Sequence, residues 1–154
     1  MMKLTRSIGL TALLLLTAAP AFSQGAGIEW DILNKEVMSL YQKGQYDRAV
    51  IVAKKALEIA EKALGPDHPN VALSLNNLAG LYDTQGQYAQ AEPLYKRSLA
   101  IWEKALGPDH PYVATSLNNL AELYRTQGQY AQAEPLYKRS LRSEERRVGK
   151  ECAD

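Results

Sequence analysis

The sequence predicts an all-α, right-handed solenoid of antiparallel helix pairs, and two observations support this prediction. The first is a fixed period of 42 residues: Gly-Gln-Tyr recurs at positions 44, 86 and 128, and Gly-Pro-Asp-His-Pro recurs at 65 and 107. The second is that apolar residues within each period follow the three- and four-residue spacing of one helical face. A unit of this size does not bury its apolar face alone, so such periods are typical of stacked repeats.

The N-terminal 23 residues have the pattern of an export signal. Lys3 and Arg6 precede an apolar run over residues 8–19, and small residues follow at Ala21 and Ser23. About a dozen apolar residues fall short of the roughly 20 that a membrane-spanning helix needs, which favours a cleaved signal peptide over an anchor. We therefore expect an exported protein, periplasmic or secreted, with no membrane insertion after signal cleavage.

Two helices are predicted in each repeat, and repeat two shows them most completely. Helix A is predicted over residues 71–85 and ends at Gly86, because glycine adopts the left-handed backbone that a helix end often requires. Helix B is predicted over residues 88–106, with Gly107 and Pro108 as its stop. The domain is expected over residues 24–141, with repeats at about 28–69, 70–111 and 112–141.

The first A helix differs from the later ones on one side. Glu36 and Ser39 occupy the positions that Leu78 and Leu81 hold in repeat two. Since no helix precedes the first A helix, polar residues on that side are typical of an end cap. We expect the solenoid to begin near Ile28. The last repeat has no comparable polar face, so its apolar surface is expected to favour self-association.

The C-terminal segment interrupts the period within a predicted helix. Repeat three copies repeat two through Leu141, after which residues 142–152 read Arg-Ser-Glu-Glu-Arg-Arg-Val-Gly-Lys-Glu-Cys. This segment resembles, residue for residue, the in-frame translation of a common sequencing-adapter oligonucleotide. We expect residues 142–154 to be an artefactual tail, with a native basic tail as the alternative. The native chain is then expected to continue beyond Leu141.

The net charge gives no support for nucleic-acid binding, and the cysteine content bears on the compartment. Residues 24–141 contain 12 Lys or Arg and 13 Asp or Glu, a formal charge of −1, whereas the whole chain carries +1. A near-neutral domain has no electrostatic footprint for nucleic acid or anionic lipid. The single cysteine, Cys152, lies in the suspected tail, and a domain without cysteine is compatible with an oxidising compartment.

Five short motifs define the repeat more closely. They are Leu-Asn-Asn-Leu-Ala at 75–79, Leu-Tyr at 81–82, Gln-Gly-Gln-Tyr at 85–88, Ala-Glu-Pro-Leu-Tyr-Lys-Arg-Ser-Leu at 91–99 and Gly-Pro-Asp-His-Pro at 107–111. Together they resemble the tetratricopeptide repeat, and the long helix B is similar to that of kinesin light chains and of many bacterial repeat proteins. The resemblance covers residues 28–141. It implies a superhelix whose concave groove, lined mainly by A helices, binds a peptide or partner protein.

A comparison of repeats two and three locates the predicted recognition surface. Between residues 70–99 and 112–141, 26 of 30 positions are identical, and all four differences fall on helix A or at its start. At about 100° per residue they occupy one arc roughly 140° wide. Copies that agree where helices pack and differ on one face predict recognition by that face. The predicted groove residues are Asp31, Asn34, Lys35, Met38, Gln42, Leu73, Asn76, Asn77, Asp83, Thr84, Thr115, Asn118, Asn119, Glu122, Arg125 and Thr126.

Paired asparagines are the most specific members of this set. An amide side chain offers two donors and one acceptor, so a ladder of Asn77 and Asn119 would bond an extended peptide backbone whatever its side chains. The family resemblance implies ligand contact at these two positions. The alternative is a hydrogen bond across the repeat interface that only holds the stack together, which we favour for Asn76 and Asn118.

No pattern predicts catalysis or a bound cofactor. His68 and His110 each lie in the repeated Gly-Pro-Asp-His-Pro turn, so a structural loop role is expected. Neither a converging set of zinc ligands, nor a nucleophile with an oriented base, nor a phosphate-binding glycine loop is visible. We expect no catalytic residue, no cofactor and no metal.

Three hypotheses for function follow. The first is an exported bacterial scaffold, not an enzyme, that binds a protein or peptide in its concave groove. The second is the N-terminal recognition arm of a larger enzyme or signalling protein whose catalytic domain lies beyond Leu141. The third is a structural element that self-associates through its uncapped C-terminal repeat.

Overall fold

The computed structural model describes the backbone of residues 19–151 and the side chains of residues 25–149, and it contains six helices. They are α1 (Ala19–Gln42), α2 (Tyr46–Leu64), α3 (Pro69–Thr84), α4 (Tyr88–Leu106), α5 (Pro111–Thr126) and α6 (Tyr130–Glu151). No strand occurs within residues 19–151, and the predicted all-α repeat fold is confirmed. The predicted A and B helices of repeat two match α3 and α4 to within two residues at each end.

Each A helix ends in the same glycine turn. Gly86 has a φ of 72°, a left-handed conformation that side chains with a Cβ rarely adopt. Its N–H donates to the carbonyl of Asp83 at 2.9 Å, and the N–H of Gln87 donates to the carbonyl of Tyr82 at 2.8 Å. These bonds satisfy carbonyls that the helix end would otherwise leave free. The same turn recurs one period before and one period after.

Histidine side chains begin α3 and α5. Nδ1 of His68 accepts a hydrogen bond from the backbone N–H of Asn70 at 3.1 Å, and His110 accepts one from Tyr112 at 3.2 Å. In both helices a proline occupies the first turn, where its missing N–H costs no helical bond. The structural role predicted for both histidines is confirmed.

The helices pack in pairs, and the B helix of each pair packs against the A helix of the next. Ala79 on α3 and Ala91 on α4 are fully buried, so the two backbones approach closely. The hydroxyl of Ser98, also fully buried, donates to the carbonyl of Ala72 at 2.8 Å. A single apolar core therefore runs through the stack.

The first A helix has the polar side that the sequence predicts. Glu36 is exposed and Ser39 is half-buried, whereas the equivalent Leu78 and Leu81 of α3 are buried. Helix α1 begins at Ala19 and includes Ala21 and Ser23, near which signal cleavage is expected. The start of the solenoid near Ile28 stays a prediction.

The two ends of the chain are described only in part. Residues 1–18, which contain Lys3, Arg6 and most of the predicted apolar run, lie outside the described residues, and the export signal stays a prediction. Within residues 19–151, none of the helices combines the length and apolarity needed to cross a bilayer.

Helix α6 continues through the predicted artefactual tail as far as Glu151. Ser143 in this segment is buried, and its hydroxyl donates to the carbonyl of Pro108 at 2.8 Å. A native tail and a translated adapter of the same sequence would fold identically, so the origin of residues 142–154 stays a prediction.

Candidate binding groove

Helices α1 and α3 line an open depression of about 570 Å³. Seven predicted groove residues line it: Asp31, Asn34, Lys35, Met38, Gln42, Leu73 and Asn77. The other predicted residues lie on α3 and α5 outside this depression: Asn76, Asp83, Thr84, Thr115, Asn118, Asn119, Glu122, Arg125 and Thr126. The fold therefore gathers about half of the predicted set around one space, and their role as ligand contacts stays a prediction.

The asparagines form hydrogen bonds between neighbouring A helices. Nδ2 of Asn77 donates to Oδ1 of Asn34 at 3.3 Å, and Nδ2 of Asn119 donates to Oδ1 of Asn76 at 3.0 Å. Both bonds join residues 43 positions apart, one more than the period, because each second asparagine reaches the first asparagine of the preceding repeat. The ladder thus links α1, α3 and α5 at one level of the groove.

The geometry shows the interface role that the sequence left as the alternative for Asn77 and Asn119, and their role as ligand contacts stays a prediction. Asn77 and Asn119 are the donors across the interface, and Asn76 is an acceptor, so members of both pairs hold the stack together. Each donor amide still has one N–H and its carbonyl oxygen for a further partner. Asn118 is exposed, and none of the described residues forms a hydrogen bond with its side chain.

A second, smaller space lies beside the ladder where α3 carries Gly80. Its volume is about 190 Å³, and its lining comprises Val37, Met38, Tyr41, Asn76, Asn77, Gly80, Leu81, Tyr95 and Asn119. We call it the Gly80 cavity. Because glycine has no side chain, the hydroxyl of Tyr95 reaches this space from α4, 3.5 Å from where a Cβ at position 80 would lie.

The third repeat fills the equivalent place with its own side chains. The Glu122 carboxylate accepts hydrogen bonds from Nε of Arg125 at 2.8 Å and from the hydroxyl of Tyr137 at 2.7 Å, and a second Arg125 nitrogen contacts it as well. These bonds, chiefly those of Arg125, lower the pKa of Glu122 to about 2. Glu122 is therefore charged and already partnered at any physiological pH.

Asp83 is a half-buried carboxylate one turn beyond Gly80. Burial, and then the neighbouring Glu122 carboxylate, raise the pKa of Asp83. Burial, and then the Asp83 charge, likewise raise the pKa of the Tyr95 phenol. These shifts show that Asp83 is electrostatically close to both Glu122 and Tyr95.

The predicted threonines donate their hydroxyl protons to carbonyl groups of their own helices. Thr84 donates to the carbonyl of Gly80 at 2.8 Å, Thr126 to that of Glu122 at 2.9 Å, and Thr115 to that of Pro111 at 3.1 Å. They can therefore offer a ligand acceptor lone pairs and methyl groups, but no free donor.

Sequence reasoning missed Tyr41, Gly80 and Tyr95 as groove residues. Tyr95 lies at an apolar helical position of α4, which favours packing, and its hydroxyl lies 3.5 Å from where a Cβ at position 80 would be. The Gly80 to Glu122 difference between repeats was the available signal. No group of three or more His, Cys, Asp or Glu side chains converges as a metal site in the part of the chain that the structure describes.

The helix pairs, the glycine turns and the amide-lined A-helix face together define a tetratricopeptide-type repeat solenoid. Residues 31–153 match the family profile described as the Nephrocystin-3 TPR domain, which covers most of the chain. The chain belongs to this family.

Curated relatives share shorter stretches. Mouse Nephrocystin-3 is 54% identical over 39 residues, which are 25% of this chain and 3% of that protein. The RxLR effector protein SFI4 of Phytophthora infestans is 38% identical over 60 residues, which are 39% of this chain and 18% of that protein. The matched stretches thus span a small part of either relative.

Solved structures with the same fold include kinesin-light-chain-type repeats. BtubC (BKLC) from P. vanneervenii superposes with a TM-score of 0.73 at 24% identity over 76% of this chain and 46% of that chain. A Podosopora anserina protein described by its nearly identical kinesin light chain TPR-like repeats gives 0.64 at 28% identity over 77% of this chain and 54% of that one. The kinesin-light-chain-like form of the repeat is therefore confirmed as the fold.

Proposed function

We propose that this protein is a non-catalytic interaction scaffold that binds an extended segment of a partner protein along the faces of α1, α3 and α5. The observation that carries the proposal is the asparagine ladder. Each of its donor amides has one N–H and one carbonyl left over, which match the alternating donors and acceptors of an extended peptide backbone. The two spaces beside the ladder, of about 570 and 190 Å³, would take side chains of that segment.

Family membership supports the same function. Tetratricopeptide domains generally bind proteins or peptides, and the chain carries the helix-pair fold on which that mode depends. On the strength of the predicted export signal alone, we further propose that binding takes place outside the cytoplasm. Because the matched stretch spans only 3% of Nephrocystin-3, a recognition arm of a longer protein is a second candidate that uses the groove in the same way.

A selection experiment tests the groove. A phage library of random linear peptides is selected on the wild-type protein, and the enriched peptides are measured on a variant carrying Asn77→Ala and Asn119→Ala. The control is Lys62→Ala, because Lys62 is an exposed residue of α2 remote from the ladder. Thermal unfolding confirms that both variants remain folded.

We expect the peptides to bind the control like wild type and the ladder variant at least tenfold more weakly, a loss of about 1.4 kcal/mol. Losing one or two backbone hydrogen bonds at net values of about 0.5–1.5 kcal/mol each accounts for that size. Peptides that bind the folded ladder variant unchanged, or a library that yields no ladder-dependent binder, would refute the proposal.

A further inference from the structure

Repeats two and three carry different side chains at the same site. In repeat three, the Glu122 carboxylate accepts hydrogen bonds from Arg125 and Tyr137. The residues one period earlier are Gly80, Asp83 and Tyr95. Repeat two therefore keeps the phenol, loses the carboxylate that accepts its proton, and has an acid in place of the arginine. What remains is the Gly80 cavity.

The Tyr95 hydroxyl is the first sign that this cavity takes a ligand. Tyr95 is 4% exposed and lines the cavity, yet its hydroxyl forms no hydrogen bond with any residue the structure describes. The hydroxyl faces the open cavity, whereas the equivalent Tyr137 hydroxyl donates to Glu122 at 2.7 Å. The Tyr95 hydroxyl is therefore available to hydrogen-bond a group that enters the cavity.

Asp83 indicates the charge of that group. Within residues 25–149, no Lys or Arg side chain forms an ion pair with Asp83, and the nearby Glu122 is paired with Arg125. Lys35 is the groove lysine on α1, and its equivalent in repeat two is Asn77. Asn77 lies six residues before Asp83 on α3. At 1.5 Å per residue this is about 9 Å along the helix axis. Asp83 is therefore a carboxylate that the ion pairs among residues 25–149 do not neutralise.

Resting on the proposed function, we infer that the Gly80 cavity binds an arginine side chain presented by the extended partner segment. Its aliphatic stem would lie against Met38 and Leu81, and its guanidinium would stack on the ring of Tyr41 and donate to Asp83 and to the Tyr95 oxygen. The cavity walls supply the apolar part of this arrangement. Asp83, one helical turn beyond Gly80, would supply the countercharge.

Other side chains match the cavity less well. A glutamate would reproduce the third-repeat arrangement at Tyr95, but it would lie beside Asp83 and Glu122 with no arginine to neutralise it. A purely apolar side chain would fill the space while leaving the Tyr95 hydroxyl unpaired. Lysine would pair with Asp83 but has neither the planar donor set nor the ring stacking of arginine.

The test uses the same random peptide library and two variants of repeat two. Gly80→Glu with Asp83→Arg rebuilds the closed third-repeat site, an arrangement that α5 already accommodates in this fold. Asp83→Asn removes only the charge. Peptides selected on the wild type are sequenced, and the arginine of the best peptide is replaced by methionine for a double-mutant comparison with Asp83→Asn.

We expect arginine to be enriched at one peptide position, and binding of these peptides to fall about 10- to 100-fold on the rebuilt site. Asp83→Asn should weaken the arginine peptide and leave the methionine peptide unchanged. Enrichment of acidic or apolar residues, or equal binding to the rebuilt site, would overturn the inference. If such peptides still depend on Asn77 and Asn119, the proposed function stands; if no peptide depends on the ladder, both fail.

Discussion

Two equivalent serines make a sharp test of how this stack is stabilised. Ser74 on α3 and Ser116 on α5 are one period apart, and each is no more than 1% exposed. The indole N–H of Trp30 donates to the Ser74 hydroxyl at 2.8 Å. One repeat later, Ala72 stands in the place of that tryptophan, and the Ser116 hydroxyl has no hydrogen-bond partner among the described residues.

The two Ser→Ala substitutions should therefore have different effects. Ser74→Ala leaves the Trp30 N–H buried without an acceptor and is expected to lower the free energy of unfolding by about 1–3 kcal/mol. Ser116→Ala removes an unsatisfied hydroxyl, so it should be neutral or should stabilise by up to about 1 kcal/mol. Both changes gain the same helix propensity, so the difference between them isolates the hydrogen bond.

Urea unfolding followed by circular dichroism measures this difference, and unchanged slopes with urea would show that the unfolding transitions are comparable. The control is the same Ser74→Ala change in a Trp30→Phe background, where no indole N–H remains and the loss should largely disappear. Equal losses for Ser74→Ala and Ser116→Ala would refute the reasoning, because the Trp30–Ser74 hydrogen bond would then make no measurable contribution to stability.

Two further predictions concern acid stability and helix ends. The folded-state pKa of Glu122, about 2, lies below its unperturbed 4.5, so its partners stabilise the fold above pH 4.5 and this contribution is lost as the pH falls towards 2. Glu122→Gln should therefore make the urea midpoint less dependent on pH between 4.5 and 2, and an unchanged slope would contradict this. His68→Ala should lower the free energy of unfolding by about 0.5–2 kcal/mol, because Asn70 loses its acceptor. His68→Asn should recover most of that loss in the same assay; an equally unstable Asn variant would argue against capping.

Features that depend on neighbours along the chain could be predicted from the sequence. Gly86 ends helix A because a left-handed residue is needed there, and Glu36 and Ser39 give α1 a polar side where α3 carries the buried Leu78 and Leu81. The Glu92 and Lys96 side chains, four residues apart on α4, form an ion pair at 2.6 Å. Periodicity, turn geometry and the spacing of residues along a helix are local properties, so they can be predicted from the sequence alone.

The details of the groove needed the distances between helices. The sequence divided Asn76 and Asn77 into an interface residue and a ligand residue, whereas the structure bonds Asn119 to Asn76 with a shift of one residue from the period. That shift depends on how far α5 is displaced along α3. A 42-residue repeat in the sequence does not specify this displacement.

By itself, the sequence determined the repeat length, the helix pairs, their ends and the face on which the copies differ, because each follows from the backbone preferences of adjacent residues. Only the tertiary structure showed that the Tyr95 hydroxyl crosses from α4 into the space left by Gly80, and that Ser116 lacks the partner that Ser74 has. These features arise between helices that are distant in sequence, where the closeness of packing decides which polar groups meet.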